Sequence, residues 1–371
     1  MGDWDYCQHS TYIKNTLGIQ YPSNQKADMG TIVHKVMDVL ANLKLGLQDN
    51  KDTFKHVCTE KLSHDAKFKY DINDWLKPDE LSSAEIEKIN SSRIDKYIYL
   101  SPCKLQLGAK RYGVDIVEDI FEKVYSHYTA EHRTTHEWGN KEKQHCLNWT
   151  WMALEYKDGL YDPRRKNIFA VEKRFDIVLE YDWAKYDYVL PTGQEISGNL
   201  AIKGTIDLIT APEDGILEVV DYKTGQRRNW ATGKTKELDD FYKDNQLMLY
   251  YYALRKLYPE ISHIMLTIFY IRHGGAFSMC FEDKHLTKME SVLRSKFEEI
   301  RSCQQPKLLD PSQKDFRCCK LCPFFANSFE NDKLNICHRI HQELREFGME
   351  YVTQTRTKEN FNVGNYLAPG T

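Results

Sequence analysis

Across its 371 residues the sequence has no apolar run long enough to cross a membrane. The longest, "IMLTIFYI" at 264–271, is far short of the roughly 20 residues a span requires. The opening "MGDWDYCQHS" has neither the charged segment nor the apolar stretch of a secretory signal, so an intracellular, cytoplasmic location is the expectation. An excess of one charge is also missing. Lys and Arg number 51 against 54 Asp and Glu, a formal charge of -3, so no global positive field draws in nucleic acid and any polyanion must be held by local patches. Internal repeats and low-complexity segments are absent, and no Gly/Pro linker separates residues 50–150 from the rest of the chain. "ATGKT" at 231–235 suggests a phosphate loop, but the position of its first glycine is Arg228, so the cradle of backbone amides is lacking and a nucleotide triphosphatase is excluded.

What is present reads as a soluble globular protein of one elaborated domain or two closely associated ones. Charged residues are 28% and aromatic residues 12%. The apolar positions 32, 36 and 40, with 33 and 37, predict an amphipathic helix over 29–47, with His34 one residue off the stripe. Residues 49–166 read as a helical insertion. From 167 the texture changes to alternation in "NIFAVEKRFDIVLEY", "LAIKGTIDLIT" and "GILEVVDYKTG", and the "PEDG" between the last two predicts a hairpin. One helix is predicted over "LDDFYKDNQLMLYYYALRKLY", then two strands around a Gly-Gly turn and a further helix, "HLTKMESVLRSKFEEIRSC".

The two strands of the predicted hairpin carry charge where burial makes it costly. Alternation places Asp221 and Lys223 on one face, and Asp207, at the end of the preceding strand, can reach the same face across the hairpin. Two carboxylates converging beside an ammonium suit phosphodiester hydrolysis with Mg²⁺ or Mn²⁺. Hard oxygen ligands hold the ion, the ion activates water, and the lysine orients that water or stabilises developing charge; the peptide carbonyl of Tyr222 offers a further ligand. An isolated D-x-K is more often a salt bridge at a sheet rim.

Further elements recur in order: Gly30 followed by His34, Gly204-Thr205-Ile206-Asp207, Asp221-Tyr222-Lys223-Thr224, and Gln246 through Tyr250. With them the chain resembles the RecB-like PD-(D/E)XK nucleases, and among these the CRISPR-associated and AddB-type members that carry an iron-sulfur cluster. The gap from Gly30 to His34 is one residue longer than in the family. The resemblance implies a restriction-endonuclease-like α/β core, a mixed sheet flanked by helices. It implies metal ligation by His34, Asp207 and Asp221 and catalytic roles for Lys223, Gln246 and Tyr250, the last two one helical turn apart. Glu172 matches a family position before the first aspartate, though a lone strand glutamate is usually solvated.

Of the ten cysteines, Cys319, Cys322 and Cys337 form a C-x-x-C followed by a third thiol after a long loop. The resemblance supplies Cys7 as the fourth ligand of a 4Fe-4S cluster tying the two ends of the chain together. A local zinc site drawing on Cys318, Cys319, Cys322, Cys337 or His338, or plain buried thiols, are the alternatives. Cys58, Cys103, Cys146, Cys280 and Cys303 read as structural.

"KTGQRRNWATGKTK" reads as a basic loop in which Arg227, Arg228, Lys234 and Lys236 neutralise phosphates and Trp230 stacks on a base. "DPRRKN" at 162–167 is a second basic patch. The domain reading is 1–48 for the N-terminal cysteine and motif-histidine helix, 49–166 for the insertion, 167–305 for the nuclease core, 306–345 for the cysteine segment and 346–371 for a tail. The functional expectation is a Mg²⁺- or Mn²⁺-dependent deoxyribonuclease, an exonuclease on single-stranded DNA ends in recombination, repair or CRISPR-type DNA processing, with a helicase or recombination partner. The alternative is a non-hydrolytic DNA-end-binding subunit of a recombination or spacer-acquisition complex.

Overall fold

The structure, a computed structural model, describes residues 4–5, 7–19, 25–48, 57–58, 69–70, 110–111, 114–131, 137–189, 193–229, 233–303, 305–308, 322–326 and 336–356. At its centre is a five-stranded mixed sheet. In chain order its strands are β1 (Ile168–Val178), β4 (Ala201–Glu213), β5 (Ile216–Lys223), β6 (His263–Tyr270) and β7 (Gly275–Cys280), with the spatial order β7-β6-β5-β4-β1. β5 and β6 run parallel and every other neighbour is antiparallel. The hairpin of β4 and β5 forms as the sequence predicts, with the ladder irregular between Thr210 and Glu213 beside its turn. A second hairpin, β2 (Lys185–Val189) with β3 (Glu195–Asn199), lies outside the sheet and has no counterpart among the predicted elements.

Helices cover both faces. On one lie α1 (Gln25–Gln48), α2 (Ile116–Glu131) and α3 (Asn140–Glu155), whose Ile32, Val36, Phe121 and Ala153 share a core with Leu208, Val220 and Tyr222 of the sheet. On the other lie α4 (Asn245–Leu257) and α5 (Asp283–Arg301), packed through Leu247, Tyr250, Tyr251 and Leu293 onto Val219 and Ile268. β5, the central strand, is therefore buried on both faces, with Leu217 and Val219 in one core and Val220 and Tyr222 in the other. The span read as an insertion contributes α2 and α3 to the core that holds α1; most of 49–115 lies outside the described residues.

Two helical expectations change. α1 is not amphipathic in the finished fold: α2 and α3 cover its outer side, so it is buried nearly all round, and Lys35, Asp38 and Lys44 are buried with it. The helix predicted from residue 238 onward breaks into Leu238–Phe241 and α4, because the Asp244 carboxylate accepts the Gln246 N–H at 2.9 Å and starts a new helix there.

A third, smaller core joins the chain's ends. Tyr12, Ile13, Leu17 and Ile19 pack against Phe324 and against Ile336, Cys337, Ile340 and Leu344 of α6 (Ile336–Thr355), which kinks at Gly348.

Candidate active site

The site forms where β1, β4 and β5 lie side by side. Val171 pairs with Leu208 and Lys173 with Ile206, which sets Glu172 opposite Asp207; Leu208 pairs with Val220, and one step further sets Asp207 opposite Asp221. One cross-strand row thus carries three acids. The ladder opens at this row. Glu172 adopts φ 43, a conformation costly for a residue with a side chain, in the middle of a strand. Alternation also fails there: Leu208 lies in the α1 core but Ile206 in the α4 core, and Val171 in the first but Phe175 in the second. β1 and β4 turn over together at the acidic row. Asp207 is consequently mid-strand rather than at a strand end, and its Oδ2 accepts the Tyr222 N–H at 3.1 Å.

The predicted partners arrive from α1, β5 and α4. α1 brings His34, whose Nδ1 is 3.5 Å from Asp207 Oδ2 and whose ring stands edge-on to Tyr222 at 6.3 Å. Lys223 Nζ lies 2.7 Å from Asp221 Oδ2 and donates to Gln246 Oε1 at 3.4 Å; the Gln246 amide in turn donates to the Tyr250 hydroxyl at 2.7 Å. The motif glycines are explained by close approach. A side chain at Gly30 would meet Thr224 Oγ1 at 2.5 Å, so the glycine lets α1 lie against the loop after β5 and sets His34 one turn further along. At Gly204 it would run into the Phe175 ring, and that ring crosses the bare backbone to stand edge-on against Tyr250, 6.4 Å between centroids.

Burial governs the charges. It lifts Asp207 and Asp221 to about 6, against the pull of Lys223. His34 is driven down to about 4, by burial first and by Lys223 second, which leaves a neutral imidazole fit for metal ligation. For Lys223, burial alone would lower the pKa, but Asp221 outweighs it and holds the ammonium above its ordinary range. Tyr250 is raised by burial and by Asp221.

β5 carries another buried acid, Glu218, and the contrast is informative. Glu218 receives Lys166 at 3.1 Å and the hydroxyls of Thr210 at 3.3 Å and Thr267 at 3.0 Å, so it is fully partnered. Among the described residues Asp221 Oδ2 has the Lys223 ammonium 2.7 Å away, off the hydrogen-bonding angle, and is an acceptor left unused. Two carboxylates, an imidazole and a neighbouring peptide carbonyl suit a hard divalent ion, and that unused acceptor is where one would gain most. Among the described residues no three His, Cys, Asp or Glu side chains already close on a common point.

Comparison with known families bears on this arrangement. The model of the PD-(D/E)XK nuclease superfamily matches residues 104–326, well over half of the chain. The chain belongs to that superfamily. Its mixed five-stranded sheet flanked by helices is the restriction-endonuclease-like fold. The matched span takes in Asp207, Asp221, Lys223, Gln246 and Tyr250; Cys7 and His34 precede it and Cys337 lies beyond it. No curated protein matches the chain.

The basic residues predicted to meet nucleic acid differ in exposure. Arg228 and Lys234 are exposed on a loop closed by the Arg228–Thr235 bridge, while Arg227 lies over the Phe277 ring at 4.8 Å and 3.6 Å from Glu237. Lys236 reaches Asp244 at 3.3 Å. Trp230 lies outside the described residues. The "DPRRKN" patch is largely engaged internally: Arg164 on Asp162 at 2.7 Å, Arg165 on the Asp158 carbonyl at 2.6 Å and Lys166 on Glu218.

Of the cysteines, Cys7 Sγ accepts the Ser10 N–H at 3.4 Å and Cys322 donates to Ser10 Oγ at 3.7 Å; Cys337 is buried in the core that joins the chain's ends, its carbonyl 2.8 Å from His9 Nε2. Cys318 and Cys319 lie outside the described residues. Among the described residues no helix is long and apolar enough to cross a membrane.

Sequence reasoning missed Lys35 and Asp38. Lys35 Nζ sits 3.0 Å from Asp38 Oδ2 and 2.6 Å from Glu172 Oε1. Their only signal was charge inside an apolar helix. Arg272 was also missed: it lies over the Trp149 ring at 4.1 Å and donates to the Thr224 carbonyl, anchoring the loop after β5.

Proposed function

We propose that the chain is a Mg²⁺- or Mn²⁺-dependent deoxyribonuclease of the RecB-like branch, acting on single-stranded DNA ends. The observation that carries this reading is the convergence of Asp207, Asp221, His34 and Lys223 from the sheet and α1 at a row where the sheet ladder opens. The chemistry that a divalent ion would supply there is polarisation of the phosphoryl group and activation of water near neutral pH. Asp207 and Asp221 would hold it, with the neutral His34 and the Tyr222 carbonyl as the remaining protein donors. Lys223 orients the attacking water and stabilises charge that develops on the phosphorus oxygens. Gln246 fixes the lysine, and Tyr250 fixes Gln246. The exposed Arg228 and Lys234, with Trp230 between them in sequence, supply phosphate and base contacts beside the site. Recombination, repair or CRISPR-type DNA processing, with a helicase or recombination partner, is the setting this chemistry serves.

The cysteine reading is part of the same proposal. Cys7, Cys319, Cys322 and Cys337 hold a 4Fe-4S cluster as a staple between the chain's ends, supported by Cys7 and Cys322 sharing Ser10 and by the apolar core beside Cys337. Broad absorption near about 400 nm in anaerobically purified protein is the expected mark of iron-thiolate bonds. A colourless preparation containing zinc would assign the thiols to the alternative metal.

The activity is tested with labelled oligonucleotides blocked at the 5′ or the 3′ end, in Mg²⁺ or Mn²⁺, beside Lys223→Ala. The wild type degrades single strands from the unblocked end, and the variant is slower by about 100- to 1,000-fold, the usual cost of removing one charge-stabilising group. Equal persistence of DNA with both proteins would leave the end-binding reading in its place.

A further inference from the structure

The acidic row has an ammonium at each end. Lys223 lies against Asp221 at 2.7 Å, and Lys35 lies against Glu172 at 2.6 Å, leaving Asp207, beside His34, as the middle acid. The two lysines are held very differently. Lys223 is about one-third exposed and contacts Gln246 on the α4 side, whereas Lys35 is buried on α1, with Asp38 as its second carboxylate partner at 3.0 Å. An ammonium taken this far out of water is costly unless carboxylates surround it. The backbone at Glu172 accepts φ 43 while its carboxylate meets Lys35 from the adjacent strand. Strain and desolvation are thus both accepted to seat one positive charge at this end of the row.

We propose that Lys35 is a resident cation standing where a second divalent ion would otherwise sit, so that the row binds one ion, at Asp207 and Asp221. Enzymes that cleave phosphodiesters with two ions set them about 3.5–4 Å apart between shared carboxylates. Here Glu172, the carboxylate that would serve a second ion, is already neutralised by a side chain that cannot dissociate. This inference rests on the metal-dependent reading above and adds the number of ions to it.

The test counts bound Mn²⁺ by electron paramagnetic resonance of the free ion, at about pH 8 where the carboxylates are ionised. It uses the full chain, its Lys35→Met variant, which keeps the length of the side chain without its charge, and the double variant Lys35→Met/Glu172→Gln. One ion in the wild type, two in Lys35→Met and one again in the double variant are expected. Two ions in the wild type, or one in a Lys35→Met protein whose circular dichroism matches the wild type, would overturn the inference and leave the nuclease reading standing. No ion in the wild type would remove the metal-dependent reading itself, and this inference with it. Should Lys35→Met fail to fold, Glu172→Gln decides. An unchanged count, with affinity within about threefold, agrees with a glutamate spent on Lys35, whereas a loss of affinity of about tenfold or more would make Glu172 a ligand and overturn the inference.

Discussion

At the acidic row every candidate ligand is carried by a long helix or a paired strand and is held before any ion arrives: Asp207 by the Tyr222 amide, Asp221 beside Lys223, His34 by the seating of Gly30 against Thr224. At the junction of the chain's ends two of the candidate thiols, Cys7 and Cys322, sit on slighter supports, while Cys337 lies at the start of the long α6. Cys7 caps four α-helical residues that run on into a five-residue π-helix, Cys322 precedes a helix of four, and the core beside them is smaller than the other two described. The difference separates two uses of a metal. A site that must position water and phosphate is built on rigid elements and charged in advance. At the junction, bound metal would contribute folding energy that short elements cannot supply.

Thiol loss should sharpen that contrast most. Cys322→Ser is expected to destabilise the protein by roughly 4 kcal/mol, the scale of losing a structural metal, while the nuclease rate per folded molecule stays within a few-fold of wild type. Thermal unfolding followed alongside active-site-titrated turnover measures both. A variant of unchanged stability would place the thiols outside any metal site.

Proton competition acts at the other region. Burial lifts Asp207 and Asp221 from 3.8 to about 6, so the metal-free fold holds protons that the unfolded chain has released between those values. The stability these groups add is therefore full below about pH 3.8 and gone above about 6, and a divalent ion gains as the protons leave. Apparent Mn²⁺ affinity should fall by about 100-fold from pH 8 to pH 5, as two carboxylates protonate. Calorimetric titration at the two pH values reads it; a flat profile would place the ion elsewhere.

The smallest effect tests the glycine beneath Phe175. Gly204→Ala should cost about 1–3 kcal/mol by overpacking against the ring and slow turnover by displacing Tyr250 from Gln246. Activity retained at full stability would show that the ring has room to move.

Much of the core could be read from alternation. The hairpin of β4 and β5, the shared face of Asp221 and Lys223, and the spacing of Gln246 and Tyr250 all come from periods of 2 and 3.6. What escaped depended on departures from those periods or on distant partners. The reversal of β1 and β4 at Glu172 and Asp207 breaks the rule that positions two apart share a face, so Glu172 looked like a solvated residue. Lys35 and Asp38 looked like the polar side of an amphipathic helix because their partner Glu172 lies far along the chain, on β1. The break before α4 was written locally in Asp244, a helix cap inside an otherwise continuous helical pattern.

The core that joins the chain's ends also sets an order of events during synthesis. Tyr12, Ile13, Leu17 and Ile19 emerge well before their partners on α6, which begin at Ile336. At ordinary translation rates that leaves four apolar side chains waiting roughly 15 to 60 s for the surface that shelters them. The segment 12–19 is thus a stretch on which a chaperone would find a long-lived foothold.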